Sequence, residues 1–467
     1  LSISSNFKIS EASLKEFIRI LLPEGIDKEL NIYGENKGEN VLVKVEIDGK
    51  TGELEYKNIE NLVEDQKFIM AKSALLKAYG KNYPWGGLIG VRPTKMTRRF
   101  FLWGFSEEEV KGILRGMYLV TEDKIELLIE VLKIEEKLLN KKAMNMYIGI
   151  PYCPSKCRYC SFASYEVNSK LGNFFPEFVE KLVEEIEILG KYSKDMNFKY
   201  ESLYIGGGTP STLTEENLEK VLKAIRENID LENLKEFTFE AGREDSITRK
   251  KLELMKEYGV DRVSLNPQTF NEKTLENLNR KFNRKHFDEV YKDIKEIGFI
   301  LNMDIILGLP GESVNDILYT LEELRKYDME NLTVHSLAKK KGSVLYRDEN
   351  FQESHVDRRA IELRINEIVK EKGMHPYYMY RQKNSLDWGE NVGYSKLNCE
   401  SRFNIEMIEE NQSTMGLGGG AITKLVTPDT EVNDQIERFI NPKDPYCYIQ
   451  EIKERNEKKI ELFNKLK

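Results

Sequence analysis

The chain has 467 residues, 40% hydrophobic and 32% charged, with a formal net charge of -8. That length allows two or three globular domains with a sizeable core, the acidic balance argues against nucleic acid or an anionic membrane as partner, and no apolar run reaches the roughly 18–20 residues of a membrane span. Five cysteines, three of them between positions 153 and 160, make no disulfide framework, and residues 1–7 lack the charged-then-apolar pattern of a signal peptide, so a cytoplasmic protein is expected.

Residues 1–142 read as a separate α+β domain. Val41, Val43, Val45 and Ile47 alternate with other side chains, Asp48 and Gly49 supply a turn, and Leu54 and Tyr56 resume the alternation, which predicts a hairpin. Residues 60–79 follow as helix. Residues 84–95 are too rich in Gly and Pro for regular structure and read as a loop with a basic cluster of Arg92, Lys95, Arg98 and Arg99. Such a cluster is either a solvated charge run or a surface for carboxylates or phosphate. Ser106 and Glu109 are spaced as a capping box, and residues 121–141 form a charged amphipathic helix.

From residue 143 to about 350 strands alternate with helices. Candidate strands are 146–150, 202–205, 236–240, 262–266, 300–307 and 332–335, and the intervening helices are 174–192, 215–228, 247–258, 285–297 and 314–327. About six β/α units imply a parallel sheet covered by helices, short of a closed eight-stranded barrel. In such folds chemistry gathers at the carboxyl ends of the strands. There the sequence places Gly206-Gly207-Gly208-Thr209 after the second strand, Glu240 at the end of the third, Gln268 after the fourth, then Arg280, and Asp304 within the fifth.

The first strand leads into Cys153, Cys157 and Cys160. A closed zinc site needs four ligands, usually as two spaced pairs, and neither Cys399 nor Cys447 sits in such a pair. Three thiolates suit instead a cubane 4Fe-4S cluster whose fourth iron stays open for another ligand.

Residues 351–467 read as a mixed C-terminal region that covers the substrate. It opens with a charged helix through Lys372, and residues 377–384 combine tyrosines with Arg381 and Lys383, as an edge strand followed by a solvated loop or as a surface for a flat polyanion. Residues 446–467 read as a solvated covering helix.

The spacing Cys153, Cys157, Cys160 resembles the signature of the radical S-adenosylmethionine (SAM) enzymes. That resemblance implies an α/β fold with a partial (β/α)6 radical SAM barrel, a 4Fe-4S cluster whose open iron chelates SAM, and a deoxyadenosyl radical that abstracts hydrogen from substrate. More closely, residues 262–268, Asn279 with Arg280, residues 302–311, and Leu337 with Ala338 resemble motifs of the oxygen-independent coproporphyrinogen III dehydrogenases. Residues 84–95, 377–384 and 390–394 are similar to their longer HemZ-type branch. Residues 415–421 resemble a glycine-rich turn found late in radical SAM enzymes.

By this likeness Tyr147, Gly207, Thr209 and Glu240 hold the cluster-bound SAM, with Tyr147 and Glu240 as catalytic candidates. Tyr159, Gly208, Gln268, Arg280, Asp304 and the backbone of Ala338 match positions that hold a second SAM. The implied reaction is oxidative decarboxylation of coproporphyrinogen III propionates to vinyl groups, with a reductant such as flavodoxin or ferredoxin as electron donor. Arg92, Arg381 and Lys383 are the candidates for seating the propionates. Phe162 stands where the best-characterised dehydrogenases carry a fourth cysteine, and Gly149 where they carry a histidine. The Phe162 pattern is shared with a related branch that binds and delivers haem. A haem-delivery protein and a radical SAM methyltransferase acting on a tetrapyrrole are therefore alternatives.

Overall fold

The computed structural model describes residues 2–62, 65–88, 92–348, 357–381, 389–428 and 434–466. The chain forms two compact units, Leu1–Glu136 with Met379–Asn391, and Lys137–Tyr378 with Val392–Lys467.

In the first unit, strands β1 (Ser2–Ser5), β2 (Glu29–Lys37), β3 (Asn40–Ile47) and β4 (Lys50–Lys57) form a sheet in that order. The expected hairpin is β3–β4. Asp48 and Gly49 both have positive φ, 54° and 71°, as a two-residue loop matching strand twist requires. Val41, Val43, Val45 and Ile47 point inward, and the helix Asp65–Ala78 packs on that face. Helix and sheet meet so closely at Gly52 that a Cβ there would lie 2.0 Å from the Ala74 carbonyl oxygen.

The expected loop over residues 84–95 is only partly a loop, and residues 89–91 lie outside the described residues. Pro93 opens a helix, Pro93–Leu102, because its fixed φ suits the first helical position and its missing N–H is no loss there. The basic cluster therefore sits on a helix, where Arg98 pairs at 2.5 Å with the buried Glu135 of the helix Glu122–Leu138. The capping box forms as expected, Ser106 Oγ accepting from the Glu109 N–H and the Glu109 carboxylate from the Ser106 N–H. Lys124 and the Trp85 indole both donate to the buried Glu390 carboxylate, at 2.7 and 2.6 Å.

The second unit is built on β5 (Met144–Ile150), β8 (Tyr200–Gly207), β9 (Glu236–Gly242), β10 (Arg262–Leu265), β11 (Ile300–Leu307) and β12 (Asn331–Ser336). Between the first two lies a two-strand ribbon, β6 (Tyr152–Cys153) and β7 (Tyr165–Glu166). The six long strands are parallel and lie side by side in chain order, which is the (β/α)6 arrangement. Helices Phe175–Asp195, Glu215–Asn228, Arg249–Glu257, Arg284–Ile297 and Val314–Arg325 connect them, each turning an apolar stripe to the sheet.

Beyond β12 come β13 (Met374–Tyr380), at the sheet's edge, and β14 (Asn391–Lys396), antiparallel to β12. The other flank departs from expectation. Residues 415–418 belong to a buried strand, β15 (Ser413–Gly418), parallel to β5, and only residues 419–421 turn the chain into β16 (Ile422–Pro428) and β17 (Asp434–Ile440). Glycines at 416 and 418 let the backbone approach its neighbours, so the feature that reads as a turn serves close strand packing. The strands from β5 to β17, the β6–β7 ribbon apart, form one open sheet of 11 strands among the described residues, not a closed barrel.

The last helix, Pro445–Phe463, is no mere solvated cover. Its Lys459 is fully buried and meets the equally buried Glu185 of helix Phe175–Asp195. The same carboxylate accepts from the Tyr448 hydroxyl at 2.6 Å and from the Gly418 N–H at 2.7 Å. Both charges are thus satisfied inside the core, as burial demands.

Candidate active site

The cysteine loop leaves β5 through β6, and the short β6–β7 ladder closes its base, Cys153 opposite Glu166. Residues 154–164 are then pinned from outside. The Arg158 N–H donates to the Leu278 carbonyl at 3.0 Å, the Leu345 N–H to the Arg158 carbonyl at 3.0 Å, and the Asn279 side chain to the Lys156 carbonyl at 3.0 Å. Cys153 and Cys157 are buried and Cys160 half-buried.

The glycine turn after β8 lies directly on this loop. The Gly208 N–H donates to the Ile150 carbonyl at 2.8 Å and the Thr209 N–H to the Tyr152 carbonyl at 2.7 Å. A Cβ on Gly208 would lie 2.5 Å from the Tyr152 oxygen, and Gly207 has φ +116°, so both positions demand glycine. Thr209 Oγ1 donates to Cys153 Sγ at 3.3 Å.

The lumen below this rim is polar. Tyr147 and Tyr204 stand opposite each other in the β5–β8 register, and their rings stack with Phe403, which lies 4.5 Å from Tyr204 and 6.0 Å from Tyr147. Phe403 is held there by Glu236, whose buried carboxylate accepts from the Ser401 hydroxyl and the Arg402 and Phe403 N–H groups at the start of helix Arg402–Glu409.

Glu240 is next toward the mouth. Burial, and then the Asp304 carboxylate, push its pKa up to about 8, opposed by hydrogen bonds from Tyr204 and the Gly207 N–H. Asp304 accepts from the Asn302 side chain at 2.9 Å and faces His335 Nε2 at 3.7 Å. Gln268, with φ +66°, is held in place by its N–H to the Asp304 carbonyl and its carbonyl to the Ile306 N–H, both 2.9 Å. Arg280 donates to the carbonyls of Asn266 and Gly242 and neighbours Tyr159 and Cys157. Ala338 is buried just beyond β12.

The sequence candidates from Tyr147 to Ala338 thus share one unit and lie on strands β5 to β12 or on the segments that follow them. Arg92 and Arg381 belong to the other unit, Arg92 exposed and Arg381 with its guanidinium 5.9 Å from the Trp85 ring centre. Lys383 lies outside the described residues. Sequence reasoning passed over Arg243, which is buried just after β9 and donates to the Ser155 hydroxyl at 3.0 Å and toward Cys157 Sγ at 4.0 Å. It also passed over His335 as a lumen residue; its place two positions beyond Thr333 on a strand whose alternate residues face inward was the available signal.

A cluster and SAM fit these residues. Among the described residues no three His, Cys, Asp or Glu side chains converge as a single ion needs, whereas thiolates on three separate irons of a cubane need not meet. Burial pushes the Cys153 thiol up to about 12 and raises Cys160 as well, so both need a cationic iron to ionise. Gln268 Oε1, Arg280 Nε and Asn302 Oδ1 are buried without a hydrogen bond among the described residues, as groups awaiting a polar ligand are.

Comparison with known proteins agrees. Residues 147–324 match the radical SAM superfamily. The chain is 33% identical to the oxygen-independent coproporphyrinogen-III oxidase-like protein HemZ of Bacillus subtilis, over 97% of this chain and 91% of that one. It is 30% identical to the heme chaperone HemW of the same organism, over 59% of this chain and 69% of that one. The fold is shared with Escherichia coli coproporphyrinogen III oxidase HemN, a radical SAM enzyme, at a TM-score of 0.51 and 18% identity, covering 69% of this chain and 72% of that one. With near end-to-end likeness added to the (β/α)6 sheet, the chain belongs to the radical SAM superfamily, whose cofactors are a 4Fe-4S cluster and SAM, in the branch of oxygen-independent coproporphyrinogen-III oxidase-like proteins.

Proposed function

We propose that the chain is a cytoplasmic radical SAM oxidoreductase of tetrapyrrole synthesis, converting propionates of coproporphyrinogen III to vinyl groups and giving protoporphyrinogen IX. The observation that carries this reading is the packing of the glycine turn onto the cysteine loop above a lumen holding Glu240, Gln268, Arg280 and Asp304. In this reading Cys153, Cys157 and Cys160 hold the cluster. Tyr147, Gly207, Thr209 and Glu240 hold its SAM, and Tyr159, Gly208, Gln268, Arg280, Asp304 and Ala338 a second one. Arg92, Arg381 and Lys383 take substrate propionates.

When bound, cluster and SAM would supply the radical hydrogen-atom abstraction at a propionate β-carbon that oxidative loss of carbon dioxide, with a one-electron acceptor, requires. The chain's part is binding and exclusion. Glu240, poised near neutral pH, ionises against the ammonium of SAM, bare backbone at Gly207 admits its methionyl end, and the stacked rings of Tyr147, Tyr204 and Phe403 add an apolar wall that excludes water.

The test is anaerobic incubation of the reconstituted protein with SAM, reductant and coproporphyrinogen III, followed by chromatography for 5'-deoxyadenosine and vinyl product. Deoxyadenosine with no decarboxylated porphyrinogen would falsify the proposal. A second reading, haem binding and delivery, is favoured by Phe162 in place of the fourth cysteine and by the likeness to HemW. It requires stoichiometric haem affinity without vinyl product.

A further inference from the structure

The rim of the cysteine loop reverses the sign of the chain's overall charge. Residues 151–164 and 339–348 carry six cations, Lys156, Arg158, Lys339, Lys340, Lys341 and Arg347, against one carboxylate, Asp348, in a chain of net charge -8. The two segments form one surface. The Leu345 N–H donates to the Arg158 carbonyl at 3.0 Å, Arg158 pairs with Asp348 at 2.7 Å, and a Cβ on Gly342 would lie 2.8 Å from the Ser161 oxygen. Within it three large side chains face solvent: Phe162 is 66% exposed, Val344 45% and Tyr346 44%. Phe162 follows Cys160 by two residues, so this surface takes in the chain that leaves one of the three cluster cysteines.

An apolar centre ringed by one sign of charge is the anatomy of a transient docking site, in which charge steers the encounter and the apolar patch gives brief adhesion. We propose that the surface centred on Phe162, Val344 and Tyr346 and ringed by Lys156, Lys341 and Arg347 docks an acidic one-electron carrier protein that reduces the cluster. The inference rests on the cluster reading above and adds the place and charge of the donor. In the step, the carrier's reduced flavin gives up one electron and the cluster accepts it, passing from the 2+ to the 1+ state; no bond forms or breaks.

The experiment uses the reconstituted, cluster-bearing protein with a reduced acidic flavodoxin as probe and titanium(III) citrate as a small-molecule reductant. For the wild type, flavodoxin should reduce the cluster at a rate that falls with ionic strength. Lys341→Glu with Arg347→Glu should weaken flavodoxin binding by calorimetry about tenfold or more and remove that salt dependence. SAM cleavage driven by titanium(III) should be unchanged, and Phe162→Ser should weaken binding without altering the salt dependence. Unchanged flavodoxin affinity and rate in all variants overturns the proposal. So does loss of titanium-driven cleavage, which would assign these side chains to the cofactor site, and so does a raised KM for porphyrinogen with flavodoxin reduction intact, which would assign them to substrate. If iron and sulfide analysis finds no cluster in the wild type, the cluster reading has failed; a cluster present with flavodoxin kinetics unmoved sinks only the docking surface.

Discussion

Nη1 of Arg243 lies 4.0 Å from Sγ of Cys157 and also donates to Ser155, while Nε and Nη2 are engaged by the Asp245 carboxylate. A fixed positive charge at that distance favours the reduced, more negative cluster. Arg243→Gln should leave three cysteines able to assemble the cluster but lower its midpoint potential by on the order of tens of millivolts. Potentiometric titration followed by electron paramagnetic resonance reads this directly, and an unchanged potential would remove Arg243 from the site.

Cys153 and Cys160, the loop's other cysteines, are each assigned to an iron of their own, so neither is spare to replace Cys157. Anaerobic reconstitution of the wild type should give about four irons and four sulfides per chain, and Cys157→Ala should give almost none. Iron and sulfide retained at wild-type levels by the variant would refute the ligand assignment.

Glu240 should make the cofactor-free protein lose stability as pH rises. Its pKa stands at about 8 in the fold against 4.5 unperturbed, so the folded state holds the extra proton between those values and the contribution present below 4.5 is lost as pH climbs through 8. Glu240→Gln removes that dependence. Its Tm should exceed that of the wild type by an amount that grows from pH 5 to pH 8.5, worth on the order of a few kcal/mol at most. A difference independent of pH would show that the carboxyl does not titrate in this range.

Gly208 tolerates no side chain, because the atom it would strike is backbone, the Tyr152 oxygen at 2.5 Å. Gly208→Ala should cost roughly 1–3 kcal/mol and weaken SAM binding, since the glycine turn is packed and hydrogen-bonded directly on the chain leading into the cysteine loop. Calorimetric titration of SAM beside a melting curve separates the two effects.

Lys459 stands in for a different risk, an unpaired charge in the core. Lys459→Ala strands the Glu185 carboxylate and should destabilise the chain by about 3–5 kcal/mol, whereas joint replacement by Glu185→Gln and Lys459→Met should recover part of that loss. Denaturant unfolding of the three proteins checks the order.

The alternation of strand and helix between residues 143 and 350 was legible because short strand-like segments recur at regular spacing between helices, several of which carry an apolar stripe; Ile300–Leu307 and Glu215–Asn228 have the bounds the pattern suggested. The cysteine spacing and strand-end polar residues were legible for the same reason: local pattern carries them. What escaped depends on distant partners. Gly416 and Gly418 read as a turn because glycine is a poor strand former, and only the adjacency of β5 makes them a strand. Arg243 is one arginine among many until Cys157 is brought beside it, and Lys459 looked solvated in a helix full of Glu and Lys.

The parallel pairing of Ser413 to Gly418 with Met144 to Gly149 sets a schedule for biosynthesis. The ribosome delivers β5 more than 250 residues before the strand that covers its flank. Until then β5 has a bare edge, open to pairing with another nascent chain. Iron loading and release from chaperones should therefore wait until residues 413–418 have been made, and products ending before position 413 should aggregate.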